Sequence, residues 1–487
     1  MPIPADILAV ERPTNTKVKK SGDRYLVIKR TCKRINGKNI PVDLGTIGEI
    51  VDGKYVEIRK TPKRKNNLID IKDYGVFKLF NDTCFSLFKD LSKTFEINTA
   101  KRIYVISLLR AIDKDIRNRD ISFSYETSFA SEAFPGLSLS ENTISSFLMK
   151  MGMEYRYIQK FIEERVKMFE DKTQVIDGTL IDNNSTVNDF SEFSRKAKTK
   201  GSKDLTLVYS YDIESKEPVA MKTYQGNMLD STSINDFLSS YDIKKQLIVL
   251  DKGFYTKKNI ESFKGKNELS FIIPLKNSSK LIAEKDVYKN ISYHLKGYED
   301  GFVLYNKFKV DDKTFLYAYR NLKNEYEQKM SYISYNEKKE EFDGEKYLNK
   351  NSEFGAIVFE SNKELDPLEV YEAYMKRWEI ETMFQMMKDI VDLDTVNVHN
   401  DYSVIATEFI NYITVIMAQK VKKKLKETIL PSKNKNKDGK SVSDTYTYKQ
   451  TIRYLTKIKK VRVGDSDKWI TNQTLKYINE LAEALGI

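Results

Sequence analysis

Residues 246–275 read QLIVLDKGFYTKKNIESFKGKNELSFIIPL. An uninterrupted apolar run from Leu247 to Leu250 stops at an acid, Asp251, and Gly253 eases the turn that follows. A helical stretch, TKKNIESF (256–263), then leads to a second apolar run, LSFIIPL (269–275). Short runs that are apolar at every position suit strands buried on both faces. Upstream lie three more β runs, TQVIDGT (173–179), LTLVYSYD (205–212) and PVAMKTYQG (218–226), followed by a helical segment, STSINDFLSSYDI (231–243). Three strands, a helix, a fourth strand, a helix and a fifth strand predict a mixed α/β sheet.

Within that pattern Asp177 repeats the design of Asp251. It follows Val175-Ile176 and precedes Gly178-Thr179, so two adjacent strands could bring two carboxylates together at their ends. An acid at a strand end often only caps a helix or closes a turn, and Asp182, Asp212, Asp230 and Asp242 are nearby competitors, none of which follows an apolar strand as Asp251 does. A third motif shifts the weight. In YMKRWEIETMFQMMK (374–388), Tyr374, Arg377, Glu381 and Lys388 fall at i, i+3, i+7 and i+14, on one stripe about 60° wide of a single helix. Ile380, Met383, Phe384, Met387, Ile390 and Val391 cluster on the neighbouring face. Glu379, the rival acid, projects about 160° away from Glu381. An acid set among a Tyr, an Arg and a Lys suits joint binding of metal and phosphate, although a solvated row of charges would look the same. Three carboxylates can hold two Mg²⁺ ions about 4 Å apart, the arrangement that in-line phosphoryl displacement uses. One ion would activate the attacking water or 3′-OH and the other would stabilise the leaving oxygen.

Around this core, residues 24–59 alternate apolar and polar positions about Asn36-Gly37 and Asp52-Gly53, predicting a three-stranded meander with type I′ turns. A basic connector, TPKRKNN (61–67), opens a helical region to about residue 170. There FPGLSLSENTISSFLMKMG carries a capping-box pattern, Ser138-x-x-Glu141, and a helix-turn-helix-like arrangement that serves helix packing as readily as DNA binding. Lys101, Arg102, Arg110, Arg117 and Arg119 add positive charge to it, as does the run Arg195, Lys196, Lys198, Lys200 and Lys203 after the first acid. KFKVDDKTFLYAYR and FGAIVFES mark a β-rich insertion between about 280 and 365. Helical pattern resumes at Leu368 and continues past Lys388, and a second helix covers about Tyr402 to Lys426. PSKNKNKDGKSVSDT (431–445) reads as a flexible linker before a mostly helical end.

The 487 residues exceed one hydrophobic core, and a formal charge of +12 points to a polyanionic partner, though a Lys- and Asn-rich composition raises charge without any such partner. Two cysteines and two histidines, Cys32, Cys84, His294 and His399, leave no zinc finger and no disulfide scaffold, while oxygen-ligand metal chemistry stays open. The first residues, MPIPADILAVERP, lack the pattern of a signal peptide, so a cytoplasmic, nucleoid-associated location without membrane contact is expected. VIATEFINYITVIMA (404–418) carries Glu408 and Asn411 and reads as a buried core helix.

The spacing Y-x2-R-x3-E-x6-K at Tyr374, Arg377, Glu381 and Lys388 resembles the signature of the insertion-sequence family four group of DDE transposases. Asp251-Lys252-Gly253-Phe254-Tyr255 is similar to that family's second-acid motif, Asp177-Gly178-Thr179 to its first, and YQGNMLDSTSI, with Gly226, Asn227 and Asp230, to a segment often found between them. The resemblance covers roughly residues 170 to 425. It implies an α/β fold with a ribonuclease H-like catalytic core and a β-rich insertion, plus an N-terminal β-hairpin and helical region and a helical C-terminal region. The expected division is 1–70 as a small β-meander that could contact a DNA end, 71–170 as a helical DNA-binding domain and 171–280 as the first part of the core. Residues 281–365 form the insertion, 366–430 the core helices carrying Glu381, and 431–487 the linker and C-terminal segment. The resemblance further implies that Asp177, Asp251 and Glu381 are catalytic and bind two Mg²⁺ ions, with Mn²⁺ as a substitute, and that Tyr374, Arg377 and Lys388 bind DNA. The implied partners are terminal inverted repeats and target DNA, with a homodimer in the synaptic complex. The implied reaction is cut-and-paste transposition, with the 3′-OH ends joined to target DNA. A ribonuclease H-like nuclease that only hydrolyses, and a catalytically inactive protein that binds inverted repeats, remain open beside it.

Overall fold

The computed structural model describes residues 3–35, 38–58, 69–113, 115–185, 187–193, 203–228, 230–266, 268–298, 301–339, 341–389, 395–396, 398–431, 439–464 and 468–487. Turn Asn36-Gly37, connector 61–67, basic residues 195–200, Ile390, Val391 and most of the linker lie outside them. The chain divides into two units, Met1–Asp70 with Arg462–Trp469, and Ile71–Val461 with Ile470–Ile487.

The first unit holds a four-stranded antiparallel sheet in sequence order: β1 (Thr16–Ser21), β2 (Arg24–Ile35), β3 (Lys38–Val51) and β4 (Lys54–Glu57). Val18, Val27 and Ile50 form its small core. Asp52 and Gly53 both take positive φ, 49° and 72°, as a type I′ turn requires. The expected meander had three strands; TKVKKS at 16–21 is the fourth. Its one buried residue, Val18, is too little alternation to reveal a strand.

In the second unit α1 (Gly75–Thr94), α2 (Ile97–Ile112), α3 (Glu141–Met153) and α4 (Tyr155–Met168) precede the sheet. Helix α3 starts at Glu141, so Ser140, not Ser138, is its N-cap and accepts from the Thr143 N–H. The sheet begins with an antiparallel meander, β5 (Thr173–Asn183), β6 (Lys203–Asp212) and β7 (Glu217–Gln225). After α5 (Asp230–Ser240), β8 (Leu247–Leu250) pairs parallel with β5, and after α6 (Lys257–Gly265), β9 (Ser270–Pro274) pairs parallel with β8. The five strands therefore lie in the order β7-β6-β5-β8-β9. Gly226 at the end of β7 has no room for a side chain, since a Cβ would fall on the Asp204 carbonyl of β6.

Residues 281–365 do not build a separate sheet. Strands β10 (Val303–Asp311), β11 (Thr314–Asn321) and β12 (Ala356–Ser361) extend the same one, because β12 pairs antiparallel with both β9 and β11. The segment also contains α7 (Leu322–Lys338) and a short helix, Gly344–Lys350, neither of which buries a residue. Leu322, Tyr326, Met330 and Tyr335 of α7 stay exposed instead of joining the core, so a helix stands within a stretch whose clearest sequence signal was the strands on either side.

The helical pattern after Leu368 divides into α8 (Pro367–Met375) and α9 (Trp378–Asp389), with a turn at Lys376-Arg377. Helix α10 (Asp401–Glu427) runs through the core with Phe409, Ile413, Ile416 and Val421 fully buried. It is long and apolar enough to cross a membrane by composition alone, yet 83% of its most apolar window is buried inside the protein. Helix α3 approaches it so closely that a Cβ on Gly152 would fall on the Tyr402 carbonyl. Arg110 of α2 points inward, donating to Asn411 of α10 at 2.8 Å and to Asn118 at 2.9 Å, so it is no surface charge. Residues 439–445 of the expected linker are ordered: Ile429 and Ser441 form a β-bridge and Val442 is fully buried.

Candidate active site

The parallel register of β5 and β8 pairs Leu250 with Ile176. The next residue along each segment is an acid: Asp251 follows the last residue of β8, whereas Asp177 lies within β5, which runs on to Asn183 instead of giving way to a turn as expected, and the neighbouring strands are spaced about 4.8 Å apart. Asp177 is steadied by its neighbour, as the Gly178 N–H donates to its Oδ1 at 2.8 Å. Asp251 stands at the N-cap position of a single 3₁₀ turn, Lys252–Phe254. Tyr255 ends that turn and donates to Glu360 of β12 at 3.0 Å, while Lys264 of α6 pairs with the other oxygen of Glu360 at 2.7 Å. Glu360 is buried within the sheet, so this network tethers the loop after Asp251. The motif D-K-G-F-Y contained Tyr255, but nothing local could reveal a partner more than a hundred residues on.

The third acid comes from α9. Nη1 of Arg377 lies 3.0 Å from Oε1 of Glu381, 3.7 Å from Oδ2 of Asp177 and 3.9 Å from Oδ1 of Asp251. Three acids remote in the chain thus surround one guanidinium nitrogen. The side chains of Asp177, Asp251 and Glu381 are 22%, 44% and 34% exposed, which leaves the cluster open to solvent. Burial works against the charge on Arg377, but Tyr374, Asp251, Glu381 and Asp177 together hold its pKa above the ordinary value. Tyr374 packs its ring on Phe359, with centroids 4.5 Å apart, and lies beneath the guanidinium of Arg377 at 5.5 Å. Burial pushes its hydroxyl pKa up and the Arg377 charge opposes that shift.

One expectation about this motif is corrected. Tyr374, Arg377, Glu381 and Lys388 do not share one unbroken helix, because the turn separates Tyr374 on α8 from Glu381 and Lys388 on α9. The backbone tightens there, with Arg377 N–H bonded to Tyr374 O and Ile380 N–H to Arg377 O. Lys388 lies at the other end of α9 and donates to the Leu180 carbonyl of β5 at 3.1 Å, three residues beyond Asp177. Three of the competing acids go elsewhere. Glu379 pairs with Lys216 at 2.5 Å, Asp212 accepts from Ser215 N–H at 2.7 Å, and Asp242 pairs with Lys244 at 2.7 Å. Ile380, Met383, Phe384 and Met387 are buried on the other face of α9.

Among the described residues, no group of three or more His, Cys, Asp or Glu stands close enough together to hold a metal ion. The three acids are arranged around Arg377 rather than around one another. Their chemistry is nevertheless that of hard oxygen donors, suited to Mg²⁺ or Mn²⁺ and unsuited to soft metals.

Residues 169–406 match the family model described as the transposase DDE domain, a stretch that includes all three acids, Arg377 and Lys388. Over this stretch, a little under half of the chain, the protein is similar to the DDE domain of transposases. A search of curated proteins finds no match. Among solved structures, a cryo-EM structure of the piggyBac transposase synaptic complex with hairpin DNA matches at 12% identity over 78% of each chain, with a TM-score of 0.40. A likeness that low carries no argument about fold or function.

Proposed function

We propose that this chain is a cut-and-paste DNA transposase of the insertion-sequence family four type, with a ribonuclease H-like core. The observation that carries the reading is the meeting of Asp177, Asp251 and Glu381 around Arg377. Support for the core comes from the β7-β6-β5-β8-β9 order, an antiparallel meander followed by two parallel strands. Support for the family group comes from the Y-x2-R-x3-E-x6-K spacing within the matched domain.

In this reading Asp177, Asp251 and Glu381 are the catalytic acids and would hold Mg²⁺. The donor types fit such an ion, and closing around it requires the acids to move inward from the positions they take about Arg377. When bound, two such ions supply an activated water or 3′-OH and stabilise the leaving oxygen. The protein itself supplies position. Strands β5 and β8 hold two acids in register, α9 brings the third, and Tyr374, Arg377 and Lys388 offer one hydroxyl and two positive charges to DNA phosphates. The partners would be terminal inverted repeats and target DNA, handled by a homodimer in the bacterial cytoplasm.

Strand transfer of a pre-cut end into a plasmid in Mg²⁺ tests the proposal. Joined products that disappear in Asp177→Asn, Asp251→Asn and Glu381→Gln, with end binding largely retained, are the expected result. Hydrolysis without joining would move the protein to the nucleases, and end binding with no metal-dependent nicking would make it a binding protein.

A further inference from the structure

We propose that Arg377 and a divalent ion compete for the same three carboxylates, so that Arg377 keeps the place of the ion in the DNA-free protein. This inference rests on the reading of Asp177, Asp251 and Glu381 as metal ligands. Three features of the site lead to it.

The first is place. Nη1 of Arg377 lies within 4 Å of one oxygen of each of the three carboxylates, the position that a cation shared by those acids would also take. The second is distance. Only the contact with Glu381, at 3.0 Å, is within hydrogen-bond reach, and those at 3.7 and 3.9 Å are held by charge alone. Arg377 is therefore loosely held by two of its three partners. The third is the backbone. Arg377 stands in the turn between α8 and α9, and α9 starts one residue later at Trp378. Its side chain can leave the acids without moving Glu381, whose position is set by the burial of Ile380, Met383 and Met387. Once displaced, the guanidinium is free for a phosphate, for which its planar donors are suited. Cation entry and DNA contact would thus be linked through one side chain.

The test is Mn²⁺ binding to the full-length protein without DNA, followed by electron paramagnetic resonance and calorimetry, a readout independent of strand cleavage. Removing a full positive charge some 4 Å from the ion should tighten Mn²⁺ binding by about tenfold or more in Arg377→Ala. Arg377→Lys keeps the charge and should stay near wild type. Asp251→Asn should weaken binding in both backgrounds. Thermal melting checks that each variant folds, and Arg377→Gln replaces the alanine variant if that one melts early. Arg377→Ala binding Mn²⁺ no more tightly than wild type, while Asp251→Asn still weakens it, overturns the competition and leaves the metal-ligand reading intact. If Asp251→Asn changes nothing in either background, the acids are not the ligands and both readings fall.

Discussion

Two places in the second unit join an arginine to carboxylates, in opposite proportions. Around Arg165 the cations are in excess: Glu217 pairs with Arg165 at 2.8 Å and with Lys420 at 2.7 Å, and Arg165 also donates to the Pro218 carbonyl at 3.0 Å. Around Arg377 the acids are in excess and half-exposed. Burial opposes charge at both partners of the first site, yet their attraction still leaves Arg165 above and Glu217 below its ordinary pKa. That site is closed in, its one acid answered twice from within the chain. The second stays open to solvent, within reach of something that arrives from outside. The contrast suggests a rule for reading such clusters: ion pairs that serve the fold are buried, and those that serve chemistry stay accessible.

The comparison can be broken at several points. The largest expected effect is on the open cluster, where Asp251→Asn or Glu381→Gln should reduce Mg²⁺-dependent nicking of an end duplex by about a thousandfold or more. Because each change also removes a surplus negative charge, melting temperature should stay level or rise. At the buried site the outcome reverses. Glu217→Leu isolates Arg165 in the interior and should cost about 3–5 kcal/mol of stability, seen as a large fall in melting temperature. Preserved melting there would mean that the buried pair does not hold the fold.

A third buried acid tests the rule from another side. Burial pushes Glu408 in α10 up to about 7, against the opposing pull of an Asn411 hydrogen bond and of Arg110, itself lowered to about 10. The folded chain therefore favours the protonated carboxyl more than the unfolded chain does. Its contribution is fully present below the ordinary carboxylate pKa of 4.5 and is lost as pH rises through about 7. Glu408→Gln should remove this dependence and gain roughly 1–3 kcal/mol at pH 8 relative to wild type, measured by melting across pH 4 to 8. Gly152→Ala should cost about 1–3 kcal/mol by pushing α3 off the Tyr402 carbonyl. The smallest effect is expected at the partly exposed Lys216–Glu379 pair. Glu379→Gln should change stability by about 0.5 kcal/mol or less and leave cleavage intact, and a lost activity would mean that the wrong glutamate has been assigned.

The sequence carried the acids well because their signals are local. The apolar run before Asp251 stops where β8 ends, the run before Asp177 marks β5 but not its end, and the buried face of α9 follows from its period. What it could not carry depends on partners far along the chain. Lys376-Arg377 contains neither Gly nor Pro, so no residue announces the break between α8 and α9. Arg110 reads as one more basic residue until Asn411 and Asn118 are seen to receive it. The stretch holding α7 buries no residue, so no core face marks its helix, and the capping box read at Ser138 missed by two residues the N-cap that the backbone places at Ser140.

The strands that follow β9 bear on where this protein can be shortened. Tyr317 of β11 donates to the Leu365 carbonyl at 3.1 Å and Tyr319 to that of Pro367 at 2.7 Å, while Phe359 of β12 supports the ring of Tyr374. Glu360 on β12 receives Tyr255 from the loop after Asp251. An engineer trimming residues 281–355 as a dispensable appendage would therefore strip the footing from the start of α8 and bare the flank of β12 to solvent. A minimal version of the protein has to keep this hairpin and look for its savings elsewhere.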